Sequence, residues 1–397
     1  MRSLVVSPDG NTAVSGSFDT SAIRWSLRRN TAEQVLRFHE GAVNAVAMLP
    51  DGRIATGGAD ARIAIWRPGE QQPQTVFAGH TAPVVALAVS PDGATLASAS
   101  WDRTVRLWPL AAGAPRVLEG HEQNVNAVAF MPDGRSVVSA GYDATLRIWS
   151  LFEAASPLVI PFSTPLNAAV VAPDSKIVAA GADGNLYFLS ATGELHGNVR
   201  AAETPIIALA ISPDGVTLAA ASIRGSVTII ERATRTVART LIGPGLPVWS
   251  AAFFPDNRTL LTGGADRIMR RWDTATGDPI GALNVGGPED PLAAFADDPG
   301  AQVFRACVAC HTLKPDEGDR AGPTLSGLFG RRIATLPGYR FSTALRSLDI
   351  VWTPETVSRL FELGPATFTP GTKMPEQKIT SAEDRLALVK FLERATR

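Results

Sequence analysis

The chain has 397 residues, 45% hydrophobic and 19% charged, with a formal net charge of −1. That length exceeds what one core usually supports, so two or more domains are expected. Near-neutral charge argues against broad phosphate binding and so against nucleic acid as a partner, and no run reaches the roughly 18 apolar residues of a membrane helix. The halves differ: residues 1–300 carry 23 Lys+Arg against 28 Asp+Glu, net −5, and residues 301–397 carry 14 against 10, net +4. The start, Met1 to Gly10, lacks the apolar core and small-residue cleavage site of an export signal.

A Pro-Asp turn follows a short apolar run at Pro8, Pro50, Pro91, Pro132, Pro173, Pro213 and Pro255, with spacings of 42, 41, 41, 41, 40 and 42. A fixed period near 41 is the signature of a repeat architecture. Each unit reads as an alternating run such as Val43 to Met48, a Pro-Asp-Gly turn, a second run, and a third such as Arg62 to Trp66. Proline presets one turn φ and glycine accepts φ > 0, which closes a hairpin with little strain. A fourth run precedes the next unit: Glu33 to Phe38, Gln74 to Phe77, Arg116 to Glu119, Pro157 to Pro161, Val237 to Ile242 and finally Pro279 to Val285, with the link between the fifth and sixth units, near Leu195 to Arg200, the weakest.

These units resemble WD repeats, which build β-propellers of four-stranded blades. The resemblance implies a seven-bladed all-β propeller over residues 1–285, with a tetrad complete in three units: His39, Thr56, Asp60, Trp66; His80, Ser98, Asp102, Trp108; and His121, Ser139, Asp143, Trp149. Recurrence in equivalent turns favours a structural role over metal or acid–base chemistry. Parts of the pattern persist in Ser15, Asp19 and Trp25, in Asp183, and in Thr262, Asp266 and Trp272. The sixth unit, with Arg224-Gly225 at its turn, departs most, and His196 reads as an exposed turn residue. In most relatives a strand from the chain start completes the last blade. Here Met1 falls in the first inner strand, so either packing closes the ring or the natural chain begins upstream.

Composition shifts after Val285. Residues 286–298 read as linker, with Asp298 capping a helix that opens on Pro299 and runs through Cys307. Cys307-Val308-Ala309-Cys310-His311 holds the only two cysteines and is the c-type haem attachment motif. In that motif two thiols add to the haem vinyl groups and the following imidazole ligates iron. A redox dithiol would want a βαβ context, and a zinc half-site would need a second Cys/His pair.

Residues 299–397 resemble class I cytochromes c of the mitochondrial and bacterial carrier type. The segment Gly322-Pro323-Thr324-Leu325-Ser326-Gly327-Leu328-Phe329-Gly330-Arg331 resembles the loop beneath the proximal histidine. The resemblance implies that the Pro323 carbonyl accepts the His311 N–H. Pro337 to Ser342, with Tyr339, and then Trp352 match the propionate region, where Arg331 and Trp352 could donate. Thr369-Pro370-Gly371-Thr372-Lys373-Met374 matches the distal loop and places Met374 on the iron opposite His311. Thr380 or Ser381 would cap a last helix, Glu383 to Arg394, with an apolar face of Leu386, Val389, Phe391 and Leu392. The docking lysines of the family are thinned to Lys314, Lys373, Lys378 and Lys390.

The resemblance implies an all-α cytochrome domain with one covalent haem c, serving electron transfer beside a propeller that docks partner proteins. It makes an electron carrier without a substrate site the first expectation. Alternatives are a propeller-borne oxidoreductase feeding its own haem, and a redox or ligand sensor in which Met374 releases. Attachment of such haem outside the bacterial cytoplasm implies a periplasmic location, or else the mitochondrial intermembrane space, with the export signal upstream of Met1.

Overall fold

The computed structural model describes the chain except residues 153–155, 243–244, 267, 284–291, 316–321, 340, 373, 375–376 and 397. The end of the run to Val285, residues 286–291 of the expected linker, and Arg340 and Lys373 therefore lie outside the described residues. Two compact units result, residues 1–287 and 288–397.

The first unit is a seven-bladed β-propeller. Its 28 strands form seven antiparallel four-stranded sheets, each from four consecutive strands, spanning residues 3–37, 43–78, 84–118, 125–161, 166–200, 206–242 and 248–283. The alternating runs become the innermost strands, as Val43–Met48 shows, and Arg62–Trp66 is the third strand of its blade. Innermost strands touch their neighbours all the way round, including Ser3–Val6 against Val248–Phe253. The first and last blades thus pack on each other. Ala13, Trp25 and Leu27 of the first blade bury against Leu261 and Met269 of the last, and Phe18 meets Trp249 edge-on at 5.6 Å. The Met1 nitrogen donates to the Gly264 carbonyl (2.8 Å), and Arg271 donates to the Leu27 carbonyl (2.6 Å).

The three full tetrads form directional relays. In the fourth blade, His121 Nδ1 donates to Asp143 (2.8 Å), the Ser139 hydroxyl donates to His121 Nε2 (2.7 Å), and Trp149 Nε1 donates to the same hydroxyl (2.8 Å). The second and third blades repeat this through His39, Thr56, Asp60, Trp66 and through His80, Ser98, Asp102, Trp108. Burial alone would raise the three carboxyl pKa values, but the histidine hydrogen bonds and charges outweigh it, and Asp143 is lowered to about 2. Incomplete blades substitute other partners. The Tyr187 hydroxyl donates to Asp183 (2.6 Å), and in the sixth blade Ser222 and Ser226 pair at 2.8 Å where the turn aspartate is missing. The sixth blade is otherwise a regular four-stranded sheet. His196 is exposed, but it lies on the outer strand Leu195–Arg200, not in a turn.

The second unit is helical: α1 (Pro299–Phe304), α2 (Thr343–Arg346), α3 (Pro354–Leu363), α4 (Pro365–Phe368) and α5 (Ala382–Ala395). Asp298 caps α1, accepting from the Gly300 amide at 2.8 Å, and Pro299 opens it. The helix then ends at Phe304, and the cysteines sit beyond it on a separate 3-10 turn, Cys307–Ala309. Two further features differ from the sequence expectation. Leu292 is fully buried and Phe295 meets Phe391 edge-on at 5.2 Å, so this end of the expected linker packs within the helical unit. On α5, capped by Ser381, Leu388 is buried with Val389, Phe391 and Leu392, whereas Leu386 is 55% exposed. At 100° per residue Leu386 points about 160° from Leu388, away from the helix α5 packs on.

That partner is α1, and glycine permits the approach. A Cβ at Gly300 would lie 2.1 Å from the Ala387 carbonyl oxygen and 2.6 Å from Phe391 Cβ. Phe304 packs on Phe391 at 5.4 Å, and Arg394 pairs with the capping carboxylate of Asp298. Among the described residues, no helix is long and apolar enough to cross a membrane.

Candidate functional site

Cys307, Cys310 and His311 share one tight turn, closed by the Cys310 and His311 amides, which donate to the Cys307 carbonyl at 3.1 and 2.9 Å. Residues three apart on such a turn put both sulfurs on one side. Neither cysteine is in a disulfide; Cys307 is buried and Cys310 partly so. Burial, and then the neighbouring Cys310, push the Cys307 thiol up to about 12.

The chain from Gly322 to Leu325 runs back along this turn, with the Gly322 amide on the Cys310 carbonyl (2.8 Å) and the Leu325 amide on the Thr312 carbonyl (2.9 Å). That pairing sets the Pro323 carbonyl 2.7 Å from His311 Nδ1. A carbonyl only accepts, so Nδ1 carries the proton and Nε2 is the lone-pair nitrogen of the ring. Such a bond fixes the ring and raises its basicity as a ligand. The ring lies so close to Gly322 that a Cβ there would be 2.4–2.8 Å from three of its atoms. Gly322 is therefore part of the histidine seat, a role the sequence reading missed, although a glycine directly before Pro323 was its visible sign.

Arg331 sits on the same loop and donates to the carbonyls of Thr324 and Ser326, both at 3.0 Å. Trp352 is joined to it through the backbone: its amide donates to the Arg331 carbonyl (2.9 Å), and the Gly330 amide donates to the Trp352 carbonyl (2.8 Å). The structure thus brings Cys307, Cys310, His311, Pro323, Arg331 and Trp352 into one connected set of loops. Tyr339 meets Phe341 edge-on at 4.7 Å. Met374 belongs to a loop with its own anchors, its amide donating to the Thr372 hydroxyl at 3.1 Å.

This donor set fits a haem. It offers two sulfurs on one side of a turn, an imidazole with its proton committed to Nδ1, and a ring seated against glycine. Among the described residues no three His, Cys, Asp or Glu side chains gather as a metal cage.

Comparison with known proteins agrees in both units. Residues 30–67, 71–109, 114–150 and 235–273 match the WD domain, G-beta repeat family. Cytochrome c of Cochliobolus lunatus is 39% identical over 99 residues, 25% of this chain and 91% of that protein. Cytochrome c of Arabidopsis thaliana is also 39% identical over 99 residues, 88% of its length, and cytochrome c2 of Blastochloris viridis is 39% identical over 106 residues, 80% of its length. With relatives of this identity covered nearly end to end, the chain belongs, through about a quarter of its length, to the cytochrome c family.

Proposed function

We propose that the chain is an electron-transfer protein: a class I cytochrome c domain fused to a propeller that docks partner proteins, with one haem joined covalently to Cys307 and Cys310. In this reading His311 and Met374 would hold the iron, and Pro323, Arg331, Tyr339 and Trp352 would surround the group. The observation that carries it is the His311–Pro323 bond at 2.7 Å beside the two-cysteine turn, which presents Nε2 as a ligand nitrogen. A haem held there supplies a one-electron couple, and a thioether ligand favours its ferrous state.

The chain's own residues orient and tune. Pro323 holds the imidazole, Gly322 leaves room for it, and Arg331 ties the loop that carries both. With a haem attached, the Cys307 and Cys310 sulfurs would be thioethers. With two protein ligands on the iron, transfer is outer-sphere to redox partner proteins. The propeller supplies the docking surface, and the location is extracytoplasmic, where haem attachment of this kind takes place.

The test uses the full chain made with a haem-attachment system and export. Denatured, acid-extracted polypeptide should retain the added mass of one haem. Cys307→Ala with Cys310→Ala should retain none, and His311→Ala or Met374→Ala should alter the reduced-minus-oxidised spectrum. Absence of added mass in the parent protein overturns the reading.

A further inference from the structure

The loop that carries Met374 is pinned at two ends. At its start Thr369 is buried, its hydroxyl donates to the Pro365 carbonyl (2.9 Å), and its own carbonyl accepts from the Thr372 amide (3.1 Å). The Thr372 hydroxyl in turn accepts from the Met374 amide (3.1 Å). At its apex the loop meets α2. The Ser342 hydroxyl accepts from the Leu345 amide (3.3 Å), capping α2, and donates to the Gly371 carbonyl (3.0 Å). One hydroxyl therefore starts the helix and holds the loop.

A second contact comes from the same short turn. Gly371 has φ +79°, and a Cβ there would lie 2.4 Å from Ala344 Cβ. The first residues of α2 are thus seated on the bare backbone of the loop, three residues before Met374. A hydrogen bond and a steric seat, both supplied by residues 342–344, restrain the same glycine.

We propose that Ser342 and Ala344 are positioning residues for Met374, and that their contact with Gly371 sets how readily an external ligand takes the place of the thioether. The inference rests on the haem reading above. It deepens that reading, because the strength of this latch decides whether the protein acts as a closed electron carrier or as a sensor that opens to small ligands.

The experiment titrates the ferric full-length haem protein with imidazole and follows loss of the methionine-to-iron charge-transfer band, together with the reduction potential. Ser342→Ala removes the donor to Gly371 and should tighten apparent imidazole binding by about two- to tenfold, the range of one hydrogen bond. It should also lower the potential. Ser342→Thr keeps the hydroxyl and should stay within about twofold of the parent. Gly371→Ala should show a larger effect, relieved in part by Ala344→Gly, since the clash but not the φ cost is removed. Ser342→Ala stands alone if Gly371→Ala does not fold. Should Ser342→Ala and Ser342→Thr both match the parent while haem is attached and the methionine band is present, the latch is refuted and the haem reading survives. A parent with attached haem but no methionine band overturns Met374 ligation, and the latch with it.

Discussion

Replacing Ser139 by alanine is the sharpest test of the tetrad relay. Its hydroxyl is fully buried and serves two partners, donating to His121 Nε2 at 2.7 Å and accepting from Trp149 Nε1 at 2.8 Å. Alanine leaves both ring nitrogens buried without that partner. At about 1–3 kcal/mol for each of the two buried polar groups stranded, the expected loss is about 2–6 kcal/mol. For a unit of this size that lowers the propeller transition by about 3–10 °C. The assay is thermal unfolding of the full chain by tryptophan fluorescence, which reports the propeller because Trp352 is the sole tryptophan after residue 287. Ser139→Thr retains the hydroxyl and should recover most of the loss. A cycle with Trp149→Phe isolates the relay: without the indole donor, Ser139→Ala should cost less, with a coupling of about 1–2 kcal/mol. A coupling near zero would show that the serine acts by volume alone, and the relay argument would fail.

Three further outcomes follow from the same geometry. Asp143, lowered to about 2, stays ionised in the fold; its stabilising share is complete above the unfolded carboxyl value near 4 and is lost as pH falls toward 2. Asp143→Asn should flatten the pH dependence of propeller stability in that window, and an unchanged slope in acid titration would contradict it. Gly300→Ala forces a methyl onto the Ala387 carbonyl, so the helical unit should become susceptible to limited proteolysis while the propeller stays resistant; equal resistance of both would refute the tight α1–α5 seat. Leu388→Ala should destabilise that unit by about 2–5 kcal/mol, whereas Leu386→Lys should change it by no more than about 0.5 kcal/mol in denaturant unfolding.

The seven Pro-Asp turns near 41 residues apart, and the two-residue alternation between them, were enough to define the blades, because strand period and turn chemistry are local properties of the chain. The tetrad residues were legible for the same reason: His121, Ser139, Asp143 and Trp149 hold fixed offsets within one repeat. The Cys307-to-His311 motif was legible because all its donors fall within one turn. What needed the tertiary structure were contacts between segments remote in sequence. The first and last blades meet through Trp25 and Leu27 packing on Leu261 and Met269. Phe295 packs on Phe391, and that placement, like the burial of Leu388 in place of Leu386, depends on which face of α5 is turned inward. The Ser342–Gly371 bond joins loops 29 residues apart that share no local pattern. Local periodicity states what each segment can become, whereas the partner against which it buries its surface is settled only when distant elements compete for the same contact.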